Sequence, residues 1–312
     1  MTERVARLRE QSLAAKPYIS TERAELVTEA YKNAVDASWR ITRAQVFKTL
    51  MERKAVCIND GELIVGERGP EPKATPTYPE ICCHSLRDLE VLDSREKIAF
   101  AVSPRARKIY EEEIIPFWKG RSMRDMIFAR MTDEWKAAYD AGIFTEFMEQ
   151  RSPGHTVLDD KIYKKGLLDF KKDIRESLAG LDYIGDSRAY DKREQLMAMD
   201  MCADALIHFA RRYADKALEL ARGEKDEGRK AELAKIAEIC SRVPAYAPRT
   251  FWEALQAYWF VHIGVITEYN TWDSFNPGRL DQHLYPFYKK DIEEGRLTEE
   301  EARELLQCFW IK

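Results

Sequence analysis

The sequence predicts a mostly helical protein with one or two short strands. Three observations support this prediction. Apolar residues recur with a helical period through most of the 312 residues, turn-forming residues separate these runs, and the period changes clearly at one place. There, Asn59-Asp60-Gly61 indicates a turn, and the apolar run 63–65 is typical of a short buried strand.

The predicted helices follow one another along the whole chain. Four prolines between 69 and 79 predict an irregular connection in the first half. Thr298 and Glu301 have the spacing of a capping box, which predicts where the last helix begins. The helical period predicts helices over 5–14, 20–35, 38–53, 86–91, 104–118, 124–131, 133–142, 167–178, 192–222, 228–240, 250–266, 280–294 and 298–310.

Composition and charge exclude several classes of partner. The formal net charge is -4 and the pI about 5.9, so no basic face for nucleic acid or an anionic membrane is implied. No apolar run reaches the length of a membrane span, and the charged N-terminus does not resemble a signal peptide. We therefore expect a cytoplasmic protein with no nucleic-acid or membrane partner.

The six cysteines do not form a metal-binding pattern. None belongs to a Cys-x-x-Cys pair, and we expect reduced thiols and no bound metal. Cys82 and Cys83, which precede His84, could form a metal or redox site. The sequence favours buried structural thiols, because three adjacent side chains cannot easily turn onto one ion.

The stretch 267–283 combines turn-forming residues with Tyr269, Trp272 and Phe275, between two helices that are predicted to be buried. Such a stretch is expected to run inside the protein, where the carboxylate of Asp273 would need a partner. That partner could be a cation of the protein or a cationic substrate. The pattern alone favours a third reading, in which Asp273 caps a turn or a helix.

A second candidate site lies in the irregular stretch 144–162. His155 follows Pro153-Gly154 in a loop that also contains Glu146 and Arg151. A histidine in such a loop can act as a general base or can donate a hydrogen bond to a substrate. It can equally be satisfied by a backbone carbonyl, and the loop pattern alone favours that alternative.

Seven segments of the sequence are long or unusual enough to compare with known families. They are 58–67, 76–84, 112–118, 145–151, 153–156, 272–273 and 277–284. These segments resemble the glycyl radical enzymes, which are pyruvate formate-lyase-like, and the resemblance covers essentially the whole chain. Within that family they are most similar to the branch that dehydrates trans-4-hydroxy-L-proline.

The resemblance implies an α/β fold, a ten-stranded barrel wrapped in helices. This chain would be its mostly helical N-terminal part, with residues 1–312 belonging to one pyruvate formate-lyase-type (PFL) domain. Neither the loop with the catalytic cysteine nor the loop with the radical-bearing glycine is found in 1–312. We therefore expect no catalytic cysteine here, no cofactor bound to this chain, and an isolated fragment that is inactive.

The family also implies partners and a cofactor for the complete enzyme. A glycyl radical would reside on the missing C-terminal segment, and a radical S-adenosylmethionine (SAM) activating enzyme would install it under anaerobic conditions. The complete enzyme is expected to form a homodimer and to act on a small-molecule amino-acid substrate.

Three residues of this chain match the substrate side of that branch. Asp273, in a Trp-Asp pair, would bind the ammonium of the substrate. His155 would lie beside the substrate hydroxyl as a possible proton donor, and Phe147 would pack on the ring. Two alternatives remain open. One is another glycyl radical lyase, acting on a sulfonate, resembling the glycerol or propanediol dehydratases, or resembling formate acetyltransferase. The other is a truncated, non-catalytic scaffold.

Overall fold

The computed structural model describes residues 1–34, 37–144, 157–269 and 276–312. Helices dominate these ranges, as the periodicity predicts. Within them, no helix is both long enough and apolar enough to cross a membrane.

The predicted helices of the first half are present, with small shifts at their ends. The helix predicted over 104–118 is continuous, but a π-helical turn, Tyr110–Ile114, interrupts its hydrogen-bond pattern. The helices here are α1 (Glu3–Ala14), α2 (Glu22–Lys32), α3 (Trp39–Arg53), α4 (Leu86–Ser94), α5 (Pro104–Ile109), α6 (Ile115–Trp118), α7 (Met123–Arg130) and α8 (Asp133–Asp140).

The predicted helices of the second half are also present, together with a short additional helix, α9. The capping box is confirmed: the Thr298 hydroxyl accepts the N–H of Glu301, whose carboxylate accepts the N–H of Thr298. The helices here are α9 (Lys161–Lys164), α10 (Leu167–Ala179), α11 (Ala189–Gly223), α12 (Glu227–Arg242), α13 (Phe251–Glu268), α14 (Leu280–Glu293) and α15 (Glu299–Ile311).

Helix α13 lies at the centre of the core. It packs against α9, α11, α12, α14 and α15, and Leu255, Phe260 and Ile263 on it are fully buried. Helix α11 packs closely against it, since a Cβ atom added at Gly264 would lie 3.2 Å from Leu206 Cδ1. This packing fixes the direction in which α13 points, and its C-terminal end leads into the stretch that contains Asp273.

The prediction of a strand at 63–65 is wrong. Val65 is buried and irregular, and its peptide groups pair with the side chain of Gln256 on α13, whose amide donates to the Val65 carbonyl at 2.7 Å and accepts its N–H at 2.9 Å. Trp252 and Trp259, also on α13, donate to the carbonyls of Leu63 and Gly66. Side chains of a helix therefore provide the hydrogen bonds that a neighbouring strand would have supplied.

A small parallel sheet occurs elsewhere. Strand β1 (Tyr18–Ser20) pairs with β2 (Ala74–Pro76), with Ile19 opposite Thr75. The sequence placed 18–19 before a helix, Ser20 at the start of that helix, and 74–76 in an irregular connection. Three-residue strands are too short for the alternating pattern on which strand prediction depends.

Candidate functional site

The three substrate-side residues predicted from the sequence, Phe147, His155 and Asp273, lie outside the described residues. The structure instead shows the framework on either side of the two stretches that contain them, 145–156 and 270–275. This framework consists of the ends of α8 and α13, the segment leading to α9, and the segment leading to α14.

The two segments that follow these stretches begin side by side. The N–H of Val157 donates a hydrogen bond to the carbonyl of Asn276, with an N–O distance of 3.2 Å. Val157 is the first described residue after 145–156, and Asn276 is the first after 270–275. Two segments that are more than a hundred residues apart in sequence are thus joined immediately after the positions where the substrate-side residues are expected.

The chain turns sharply after this junction. Leu158 and Asp159 both have left-handed backbone angles, with φ values of 55° and 48°. The carboxylate of Asp159 lies 3.2 Å from Nε2 of His283 on α14, and the His283 ring stacks on Tyr163 of α9 at a centroid distance of 5.3 Å. These contacts hold α9 and α14 together behind the junction.

The C-terminal end of α13 is held by a buried arginine, Arg23 of α2. Its Nε donates to the carbonyl of Thr267 at 2.7 Å, and its terminal nitrogens form an ion pair with Glu80. Burial alone would lower the pKa of Arg23, but the Glu80 carboxylate, with smaller contributions from Tyr78 and Glu268, raises it above the ordinary value. Arg23 therefore remains a buried cation at the point where α13 ends.

Sequence reasoning missed Arg23. The sequence of α2 has the pattern of an ordinary amphipathic helix, and arginine side chains are usually exposed. The available signal is its position three and four residues before Leu26 and Val27, which places it on the apolar face of the helix. A charged residue on such a face needs a specific partner.

A second ion pair lies on the outer side of the same helix end. Arg43 of α3 donates through Nε to Glu268 at 2.8 Å, and its guanidinium lies 5.4 Å from the centre of the Tyr269 ring. Burial lowers the pKa of Arg43, but Glu268 and Tyr269 outweigh it, so the pKa is above its ordinary value. Arg43 is thus fully charged and engaged with Glu268.

A cavity of about 540 Å³ adjoins this end of α13. Leu158 and Tyr269, which border the two stretches, both contribute to its wall. Its other walls are mainly apolar side chains of α3, α10, α11 and α13. Because these walls offer few hydrogen-bonding groups, the cavity alone does not suit a zwitterionic amino acid.

Five of the six cysteines have the pKa shift of buried thiols and not that of an activated thiolate. Burial raises the pKa of Cys57, Cys83, Cys202 and Cys308 to about 12, and it raises the pKa of Cys240 further. In the ranges that the structure covers, no group of three or more His, Cys, Asp or Glu residues is arranged to hold a metal ion.

Comparison with known proteins identifies the family and the fold of this chain. The family model described as "Pyruvate formate lyase-like" matches residues 1–312, and the chain belongs to that family. Its fold is that of the N-terminal portion of a glycyl radical enzyme. A glycyl radical enzyme from Archaeoglobus fulgidus superimposes on 99% of the chain with a TM-score of 0.89 and 32% identity, over 40% of its own length.

Two further similarities are higher. The trans-4-hydroxy-L-proline dehydratase of Clostridioides difficile is 56% identical over 311 residues, which are 99% of this chain and 39% of that protein. The crystal structure of hydroxyproline dehydratase from Clostridioides difficile, with trans-4-hydroxy-L-proline bound, has a TM-score of 0.96 and 55% identity, covering all of this chain and 40% of its own. The chain thus spans about two fifths of the relatives it matches.

Proposed function

We propose that the complete enzyme is a glycyl radical dehydratase that removes water from trans-4-hydroxy-L-proline to give a pyrroline carboxylate. In this proposal, residues 1–312 form the N-terminal, substrate-side portion of one PFL-type domain. The hydrogen bond between Val157 and Asn276 is the structural observation that supports it, because it joins the residues that directly follow the two stretches in which the substrate-side residues are expected. The similarity to a relative with this activity supports the choice of substrate.

Chain connectivity limits how far those residues can be from the junction. His155 is two residues from Val157, and Asp273 is three residues from Asn276. Successive Cα atoms are 3.8 Å apart. The Cα of His155 can therefore be at most about 8 Å from that of Val157, and the Cα of Asp273 at most about 11 Å from that of Asn276. A small substrate and two side chains can span such distances together.

Each residue has a role that fits its chemistry. A secondary ammonium is bound best by a carboxylate through charge-assisted hydrogen bonds, and Asp273 would supply that carboxylate. A leaving hydroxyl needs a proton to depart as water, and His155 would donate it. Phe147 would pack its ring on the apolar face of the substrate ring.

The radical chemistry would come from outside residues 1–312. The glycyl radical, acting through a cysteine, supplies the abstraction of a substrate hydrogen atom that makes the loss of water possible. The residues of this chain would bind the substrate, orient its hydroxyl and deliver the proton. The isolated chain is accordingly expected to have no activity.

The proposal includes the conditions for activity. A radical SAM enzyme would install the glycyl radical, in the cytoplasm and in the absence of oxygen. The complete enzyme is proposed to work as a homodimer.

The test is to produce the complete enzyme with its activating enzyme without air. We expect a glycyl radical signal by electron paramagnetic resonance and turnover of trans-4-hydroxy-L-proline. Glycerol, 1,2-propanediol and isethionate serve as competing substrates. Preferred turnover of one of these would overturn the substrate assignment. Absence of both the glycyl radical signal and all turnover would favour a non-catalytic scaffold.

A further inference from the structure

The end of α13 is unusually complete in its hydrogen bonds. The last four carbonyls of a helix have no partner within the helix and must find one elsewhere. The Val265 carbonyl accepts the N–H of Tyr269 at 2.8 Å, and the Ile266 carbonyl accepts the hydroxyl of Tyr78. The carbonyls of Thr267 and Glu268 accept N–H groups of Arg23, at 2.7 Å and 3.5 Å.

Arg23 is itself fixed from several sides. Its side chain is only 5% exposed, and its guanidinium stacks on the Tyr78 ring, 3.9 Å from the ring centre. It also donates to the carbonyl of Thr77 at 3.1 Å and to Glu80 at 3.2 Å. A planar guanidinium with this many fixed acceptors has one available orientation, so it holds the end of α13 in one place.

The same arginine connects α13 to the other side of the framework. The carbonyl of Glu80 accepts the N–H of Met123, and that of Ile81 accepts the N–H of Arg124, at the start of α7. Helix α7 is followed by α8, after which the chain enters 145–156. Arg23 and Glu80 thus join the helix that leads into 270–275 to the helix pair that leads into 145–156.

The ion pair of Arg23 with Glu80 suits the end of α13 better than an unpaired arginine would. The end of a helix carries a partial negative charge that a nearby cation stabilises. Because Glu80 neutralises Arg23, the pair holds the helix end without adding net charge.

We infer that Arg23 is a positioning residue for the dehydration. By fixing the carbonyls of Thr267 and Glu268, it sets the direction in which the chain leaves α13 and enters the stretch that contains Asp273. This inference rests on the proposed function, since it gives Asp273 a substrate to bind. Arg23 acts through the backbone of α13, and Tyr78 supports it at Ile266.

The first test is Arg23→Lys in the complete, activated enzyme. Lysine keeps the charge but cannot bond all of these acceptors, so the end of α13 loses its fixed orientation. A misplacement of about 1 Å can cost up to about a hundredfold in catalytic efficiency. We expect the KM for trans-4-hydroxy-L-proline to rise about tenfold or more, with kcat and the yield of glycyl radical much less affected.

A merely structural role predicts a different pattern. Loss of folded enzyme would lower the apparent kcat and the radical yield together, and would leave KM unchanged. Arg53→Lys is the matched control, because Arg53 pairs with Glu29 at 2.7 Å and both side chains are about half exposed. We expect Arg53→Lys to keep the KM of the unmodified enzyme.

Tyr78→Phe is the milder second variant. It removes the hydroxyl that bonds the Ile266 carbonyl and leaves the ring beneath the guanidinium. We expect a smaller rise in KM, together with faster amide hydrogen exchange at Tyr269. An unmodified enzyme that does not turn over hydroxyproline overturns the proposed function and this inference with it. An active enzyme whose KM is unchanged in both variants overturns the inference alone.

Discussion

Val157 and Asn276 are bonded through their backbones, N–H to carbonyl, at 3.2 Å. The bond involves no side chain, so its formation depends only on how the two segments approach one another. A substitution that shifts the backbone of one segment can therefore also shift the backbone of the other. This relationship makes the substrate-side assignment testable as a pair of residues as well as one residue at a time.

Asp273→Asn tests the ammonium site directly. The amide has nearly the same shape as the carboxylate but carries no charge, and hydrogen bonds to charged groups contribute about 1.5–3 kcal/mol. We expect kcat/KM for trans-4-hydroxy-L-proline to fall about tenfold to a hundredfold, chiefly through KM. Asp281→Asn, an exposed position in the first turn of α14, is the control and should change KM less than twofold, on the order of an ordinary surface substitution.

His155→Gln tests the proton donor. Loss of a general acid typically costs about 10²–10⁴ in rate, so we expect kcat to fall far more than KM rises. Steady-state kinetics of the complete enzyme measures both. His208→Gln, at an exposed position on α11, should leave both constants unchanged, and a similar loss in that control would count against a specific role for His155.

The pair His155→Gln and Asp273→Asn should not be additive. Residues that share a substrate or a local framework show interaction energies of about 0.5–3 kcal/mol in double-mutant cycles. The cycle is measured as kcat/KM for the unmodified enzyme, both single variants and the double variant. Strict additivity would indicate that the two residues act at separate places.

Gln256→Leu tests the unusual support of residues 63–66. Gln256 is 1% exposed, and its removal leaves the N–H and the carbonyl of buried Val65 without their partner. Each of these two groups costs about 1–3 kcal/mol, so we expect the free energy of unfolding to fall by about 2–6 kcal/mol. Denaturant unfolding measures the loss. Gln45→Leu, at an exposed position on α3, should change stability by less than about 0.5 kcal/mol.

His262 should make the protein sensitive to mild acid. Burial, with a smaller contribution from Arg68, lowers the pKa of His262 from 6.5 to about 4. Between these values the unfolded chain binds a proton that the folded protein does not, so stability falls as the pH drops from about 6.5 to 4, by up to about 3 kcal/mol. The free energy of unfolding, measured across this pH range, should fall less steeply in His262→Phe. This variant keeps an aromatic ring between Tyr258 and Trp259.

The sequence predicts local structure well where a local rule is sufficient. The helical period located the long helices, and Thr298 with Glu301 located the start of α15 to the residue. It failed at Leu63–Val65 because an apolar run indicates burial and does not say which groups will bond the backbone. Those partners, Gln256 and its neighbours on α13, are about 190 residues away in the chain and carry no local signal.

The same distinction applies to the candidate site. The residues that would touch the substrate, Asp273 and His155, were suggested by unusual motifs and remain predictions. The framework that holds their segments was not visible in the sequence. Arg23 is separated from Thr267 by 244 positions, and only the fold brings them together.

The pairing of Gln256 with Val65 also has a consequence for the order of events during synthesis. The two residues are 191 positions apart, so Val65 leaves the ribosome long before its partner exists. At about 5–20 residues per second, that interval is roughly 10–40 s. During this time residues 63–66 cannot form these hydrogen bonds and their backbone groups are exposed to water, so this segment reaches its final conformation only when α13 docks against it.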